Sequence, residues 1–418
     1  MQELVRLLLI IVIALVAALI VVLFVSAVTR RALHLVRFRR LDRERPRYKA
    51  QMEGLIEGGA VLRRLYVFRA RPGSVKWQAV EDVVFELMGD ARHEATARQL
   101  FTELGYVDYY ERRLGRRNPI ARAAAADKLG RMRSERSIGK LADLFDSGNV
   151  ELASVAIRAM SKIGSMKALE AVLGKLPRLV DGELAAQKTL TAFLLNFGPK
   201  AATRLVGYGW HSDRPSVLAV VLEVLARLGS PEAVPLAVAR LSSESPEIRA
   251  KALKVISASP GAEGVDWAKV AGLLRDDVWF VRLHAARALA SAGRKEQEAA
   301  SALAELLTDK SWHVRNAAAT ALAEMGDLAL DHFVMVLDSN DPYVKGSLCE
   351  ELQRTGFTDR LIESLADAGP EAREKIQRVL KVMSSINFRS PMTRYLEEGG
   401  NEAVRAEIGR ILNREVAA

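Results

Sequence analysis

The sequence predicts an all-α chain, a right-handed α-solenoid of about ten two-helix units preceded by a single transmembrane helix. Three observations predict it: a short apolar pattern that recurs along the chain, a composition that favours helix over sheet, and a long uncharged stretch near the start. At 418 residues the chain exceeds one ordinary core and suits an array in which each unit packs on its neighbours. Aromatic residues make up only 6% and prolines number 13, the bias of a helix-rich protein. The one cysteine, Cys349, excludes an internal disulfide and a cysteine-based metal site, and it fits a reducing compartment.

Residues 1–28 form the expected transmembrane anchor. From Leu7 to Val28 there are 22 residues without a charge, which as a helix span about 33 Å, enough to cross a bilayer. Val25-Ser26-Ala27 resembles a signal cleavage site, but the run is too long and its start is not basic, so an anchor is expected. Ala14 and Ala18 offer a small-xxx-small spacing for helix dimerisation. Residues 29–75 read as a basic juxtamembrane arm with 13 Lys or Arg against 4 Asp or Glu, which places +9 of the net charge of +10 there. Arg30, Arg31, Arg37, Arg39 and Arg40 lead this cluster and resist translocation, so the N-terminus is expected outside and the solenoid in the cytoplasm. Arginine outnumbers lysine by 44 to 17, a usage of GC-rich bacterial genomes, and the expected location is the bacterial inner membrane. The same arginines either set topology alone or also touch anionic lipid headgroups, at roughly 1 kcal/mol each near the surface.

Residues 76–104 follow as amphipathic helix, with Trp77, Val80, Val83, Val84, Phe85, Leu87 and Met88 at helical spacing, and are expected to cap the array. Residues 105–418 are the array itself. Residues 281–289, with Val281, Arg282, Ala285, Ala286, Ala288 and Leu289, match residues 314–322 at an offset of 33. Equivalent starts fall at Ala121, Leu152, Ala186, Val217, Ile248, Val281, Val314, Val344, Ala372 and Val404, spaced 28 to 34 residues apart. A glycine twelve positions on closes several of them, at Gly164, Gly198, Gly229, Gly293, Gly326 and Gly356, where a helix ends in a left-handed residue. The unit at Ala121 has Arg133 there instead, and those at Ala186 and Ala372 are degenerate. A second apolar helix lies upstream in each unit, as in Leu303, Leu306 and Leu307 before Asp309. The alanines let paired helices approach closely, the leucines fill the space between pairs, and stacking buries what one pair alone cannot.

On this Leu-x-x-Leu-Leu-x-Asp segment followed by Val-Arg-x-x-Ala-Ala-x-Ala-Leu, the chain resembles the HEAT family over about residues 105–415. Its spacing is most similar to the short bacterial form that includes phycobilisome-lyase type repeats. The resemblance implies a surface that binds other proteins. Similar bacterial proteins with one N-terminal span look like accessory subunits of membrane machines, among them glycosyltransferases that make exopolysaccharide. In HEAT proteins acidic and basic pairs form a ladder between units, and Asp276 or Asp277 with Arg282, Asp309 with Arg315, and Asp338 with Lys345 recur at matching places here.

No catalytic constellation stands out, and neither enzyme activity nor a cofactor is expected. The His93-Glu94 pair lacks the second histidine of a zinc-protease motif, and no phosphate-cradling loop is present. The sharper candidates for contact are Trp279, Phe280, Trp312, His313 and Tyr343, near the starts of three successive second helices beside Arg282 and Arg315. These rings either anchor a protein partner or plug the grooves between units. The expected function is therefore a membrane-anchored scaffold or accessory subunit, its partner a membrane protein or membrane-associated complex. A HEAT-like lyase or other enzyme is one alternative. Nucleic-acid binding is the other, disfavoured because residues 76–418 are nearly neutral.

Overall fold

The computed structural model of the chain describes residues 2–57, 67–292 and 297–413, and every regular element among them is a helix. Residues 1–175 and 176–418 form two compact units.

In the first unit, α1 (Gln2–Glu57) is a single helix that continues through Pro46, whose missing amide leaves the Asp42 carbonyl without its usual helical partner. Its C-terminal half buries Leu41 and Met52 and packs on α2 (Val75–Leu87), which Ser74 caps through the Trp77 amide. Arg45 pairs with Asp82 and Lys49 with Glu86 along this contact. Residues 29–57, expected as an arm, are therefore helix and partly a packing partner. Residues 76–104, expected as a cap, give α2 and α3 (Glu94–Glu103), and α1 lies against α2 where an outermost helix would have solvent. Behind them come α4 (Tyr106–Leu114), α5 (Pro119–Arg131), α6 (Ile138–Ala142), α7 (Val150–Ile163) and α8 (Met166–Asp181), the last containing the boundary between units.

The transmembrane helix and the single-pass inner-membrane location are overturned: among the described residues no helix is long and apolar enough to cross a membrane. The uncharged run is only part of α1, continuous with the basic half that packs on α2. The side chains from Leu7 to Ala14, and with them half of the expected Ala14–Ala18 contact, lie outside the described residues.

In the second unit, α9 (Gln187–Leu195), α10 (Ala202–Trp210), α11 (Pro215–Leu228), α12 (Val234–Arg240), α13 (Pro246–Ser257), α14 (Trp267–Gly272), α15 (Trp279–Ser291) and α16 (Gln297–Glu305) follow. The unit ends with α17 (Trp312–Met325), α18 (Leu330–Leu337), α19 (Pro342–Arg354), α20 (Phe357–Ser364), α21 (Pro370–Ser385), α22 (Ser390–Glu398) and α23 (Glu402–Asn413). Every start read from the sequence falls in an odd-numbered helix from α5 to α23, apart from Ala186, which is the N-cap of α9. The odd helices from α9 to α19 pack on one another in succession, with Val281, Ala285, Ala288, Val314, Ala318, Ala321 and Leu322 fully buried between them. Gly164, Gly198, Gly229, Gly326 and Gly356 all have positive φ as expected, while Gly293 lies outside the described residues. Arg133 takes the same left-handed conformation at φ 50°, so the turn survives without glycine at a strain of about 1 kcal/mol.

Candidate protein-binding groove

Every second helix from α5 to α23 except α9 begins at a fixed slot two residues before the repeat start. Proline fills it in α5, α11, α13, α19 and α21, where its fixed φ suits the first helical turn. In α15 and α17 the slot holds Trp279 and Trp312 instead. These rings are 43% and 56% exposed, although nothing in the helix start requires a large apolar side chain there. Trp279 stacks on His313 of the next repeat at 5.3 Å and meets Phe280 edge-on at 5.8 Å, and Trp312 lies 3.7 Å from His313. Four of the five candidate rings thus meet one another in a stack that bridges two repeats and leaves both indoles half in water. Tyr343, 83% exposed, stands outside this stack among the described residues.

The stack opens onto a cleft of about 750 Å³ that crosses α13, α15, α17 and α19, with Trp312, His313, Arg287, Asn316, Glu324 and Arg354 in its lining. Further in, the buried Glu351 is held by Arg354 and by the Thr320 hydroxyl, and Ser347 donates to Asn316 Oδ1 at 2.9 Å. Burial pushes the Glu351 carboxyl up, but the Arg354 and Thr320 hydrogen bonds outweigh it and leave the group below its ordinary range. On α11 and α13, Glu223 accepts from Lys251 at 2.6 Å and Lys254 at 3.1 Å, and these bonds outweigh its burial to hold it at about 2.

Beside the groove runs the ladder, with its rungs offset from the sequence expectation. Arg282 does not meet the carboxylates of Asp276 or Asp277. It donates to their backbone carbonyls at 2.8 and 3.1 Å, while its Nε and other terminal nitrogen grip Asp309, one repeat on, at 2.7 and 2.9 Å. Arg249 holds Asp276 in the same two-pronged way at 2.8 and 2.9 Å. Asp309 also accepts from the Ser311 amide, so one carboxylate fastens two repeats and caps a turn. Arg315 reaches the Asp309 carbonyl at 2.9 Å and not its carboxylate, and Asp338 accepts from Arg378 instead of Lys345. The signal missed in the sequence is an arginine one residue after a repeat start with an aspartate five residues before the next start.

That rule also explains three buried atoms without partners. Where serine or glycine stands in place of the aspartate, at Ser147, Ser339 and Gly399, the arginine one residue after the preceding repeat start, Arg122, Arg315 or Arg373, has an unsatisfied Nε. Ser339 Oγ is unsatisfied as well. Ser339→Asp is expected to complete the rung and stabilise the chain by about 1 to 2 kcal/mol. A urea midpoint that stays put at unchanged slope would refute the rule.

Of the arginines expected at a lipid surface, Arg31, Arg37, Arg39 and Arg40 are exposed on α1, and Arg37 donates to the Gly73 carbonyl at 3.0 Å. The Arg30 side chain lies outside the described residues. His93 sits against Asp90, and Glu94 pairs with Arg133 and Arg98. Burial pushes the Cys349 thiol up to about 12, so it stays protonated at neutral pH. Among the described residues no group of three His, Cys, Asp or Glu is placed to hold a metal ion.

Among solved structures, an engineered protein is 20% identical over 84% of this chain and 97% of its own, with a TM-score of 0.34. The karyopherin Kap121p bound to the extreme C-terminus of the protein phosphatase Cdc14p is 13% identical over 80% of this chain and 45% of its own, with a TM-score of 0.47. Kap121p bound to Pho4p is 11% identical over 82% of this chain and 48% of its own, also at 0.47. This chain therefore spans less than half the length of the karyopherin. No curated protein matches it. The family model for HEAT repeats matches residues 268–353, the stretch that holds α15, α17, the ring stack and the Arg282–Asp309 rung. Residues 268–353 are thus similar to HEAT repeats, and the helices on either side of them also alternate in pairs.

Proposed function

We propose that the chain is a protein-binding scaffold whose groove across α13 to α19 holds a segment of a partner, anchored on the Trp279, His313 and Trp312 rings. The observation that carries this reading is the pair of half-exposed tryptophans in a slot that proline fills in five other repeats. An exposed indole forgoes much of the stabilisation that burial would give it, and stacked tryptophans beside a cleft are the usual anchors of interfaces. The HEAT repeats at residues 268–353 support the reading, because such arrays offer extended surfaces.

Two narrower forms rest on resemblance alone. The partner as a sugar-polymer synthase for which this chain is an accessory subunit is one, and kinship with the lyase-type repeats is the other. The scaffold reading also carries the proposal that the chain is not itself an enzyme. Trp312→Ala is expected to weaken binding of a partner segment by more than about tenfold while leaving helix content unchanged, since truncating an anchor costs about 2 kcal/mol or more. Isothermal titration with a captured partner checks this, and equal affinity for both proteins would end the reading.

A further inference from the structure

We propose that the groove selects a partner segment with an acidic side chain placed next to an aromatic or large aliphatic one, the carboxylate received by Arg287 and the apolar group by the ring stack. This rests on the reading of the groove as a protein site and adds the chemistry of what enters it.

The observation is the pairing state of the cations around the groove. Lys251 and Lys254 are spent on Glu223, Arg354 on Glu351, and Arg249 and Arg282 on Asp276 and Asp309. Arg287 lines the cleft, is exposed, and makes no ion pair or hydrogen bond among the described residues. A guanidinium offers a planar fork of donors that fits a carboxylate two-pronged, and an unpaired one beside apolar rings recognises an acid and an anchor together.

The surroundings reinforce the sign. On α13, Lys251 and Lys254 both pair with Glu223, so two cations share one carboxylate beside α15. His284, one turn before Arg287, is held at about 4 by burial and then by Lys254, Arg287 and Lys251, with Glu223 opposing. On the α17 side, Glu324 lines the same cleft with no partner among the described residues. A uniformly acidic segment would meet repulsion there, so the segment carries its acid toward α15 only, which fixes the direction in which it lies.

The test pans a displayed library of random peptides against the full chain and measures synthetic versions of the enriched peptides by fluorescence anisotropy. The expected result is enrichment of an acid beside an aromatic or large aliphatic residue. Arg287→Glu should weaken these peptides about tenfold or more and, when panned itself, should enrich bases at the same place. Circular dichroism confirms that this exposed substitution leaves the helices intact. Peptides that Trp312→Ala weakens but that show no acid preference, or that bind the Arg287→Glu protein equally well, overturn the inference and leave the groove reading standing. Peptides indifferent to Trp312→Ala, or single-stranded oligonucleotides that outcompete them, overturn both.

Discussion

Asp309→Ala is expected to destabilise the second unit by about 3 to 5 kcal/mol, the cost of stripping one partner from a nearly buried ion pair. The Asp309 side chain is 7% exposed and Arg282 17%, so the guanidinium left behind cannot recover its hydration. The Ser311 amide and the first turn of α15 lose their tie at the same time. Asp338→Ala is the control: Asp338 is 39% exposed against Arg378, and its loss should cost less than about 1 kcal/mol. Acidification gives the same contrast. Burial pushes the Asp309 carboxyl up, but the Arg282 hydrogen bonds, the Ser311 amide and the nearby guanidinium charges outweigh it and leave the group below its ordinary 3.8. A carboxyl depressed in the folded state adds stability that is complete above its ordinary value and disappears as pH falls through the lowered one. The wild type should therefore lose part of its stability from about pH 4 downward, and Asp309→Asn should be less stable at neutral pH and flatter across that range. Urea midpoints for the wild type and the three variants at pH 7 and pH 3 decide it. Equal midpoints for Asp309→Ala and Asp338→Ala would show that the rung does not hold the repeats together.

The same rung shows where the sequence was legible and where it was not. Helix pairs follow from spacing alone, because each start must place its apolar residues against the neighbouring repeat; all ten therefore fell on helices or a helix cap. The identity of each rung's partner does not follow from spacing. Asp276 is six residues from Arg282 and 27 from Arg249, and proximity along the chain favours the wrong one. The folded arrangement turns the nearer aspartate's carbonyl toward Arg282 and its carboxylate toward Arg249. The rings were legible as candidates for contact, but their exposure was not, since a tryptophan at a helix start reads the same whether it plugs a groove or faces water. What could have separated the two readings is the proline in the equivalent slots. The uncharged run misled for a related reason: its composition suits a bilayer, yet composition does not show that the same helix continues for another 29 residues beyond Val28, to Glu57, and packs on α2.

Close approach of second helices sets the other large effect, and Gly130→Leu is expected to destabilise the first unit by about 3 kcal/mol. A Cβ at Gly130 would lie 2.6 Å from Ala159 Cα and 2.9 Å from the Ala159 carbonyl oxygen, both backbone atoms of α7. Backbone cannot swing aside as a long side chain can, so α5 and α7 must separate and forfeit contacts around Leu129, Ala156 and Met160. Even Gly130→Ala, which gains about 1 kcal/mol of helix propensity, should be destabilising, because overpacking costs about 1 to 3 kcal/mol. Gly174→Ala in α8 isolates the propensity term, for a Cβ there meets nothing within 4 Å, and it should stabilise by up to about 1 kcal/mol. Opposite signs for the two alanine variants in thermal denaturation would establish that helix spacing here is set by the missing Cβ. The same sign for both would mean that α5 and α7 yield to the extra methyl, and that glycine at this position answers to something other than packing.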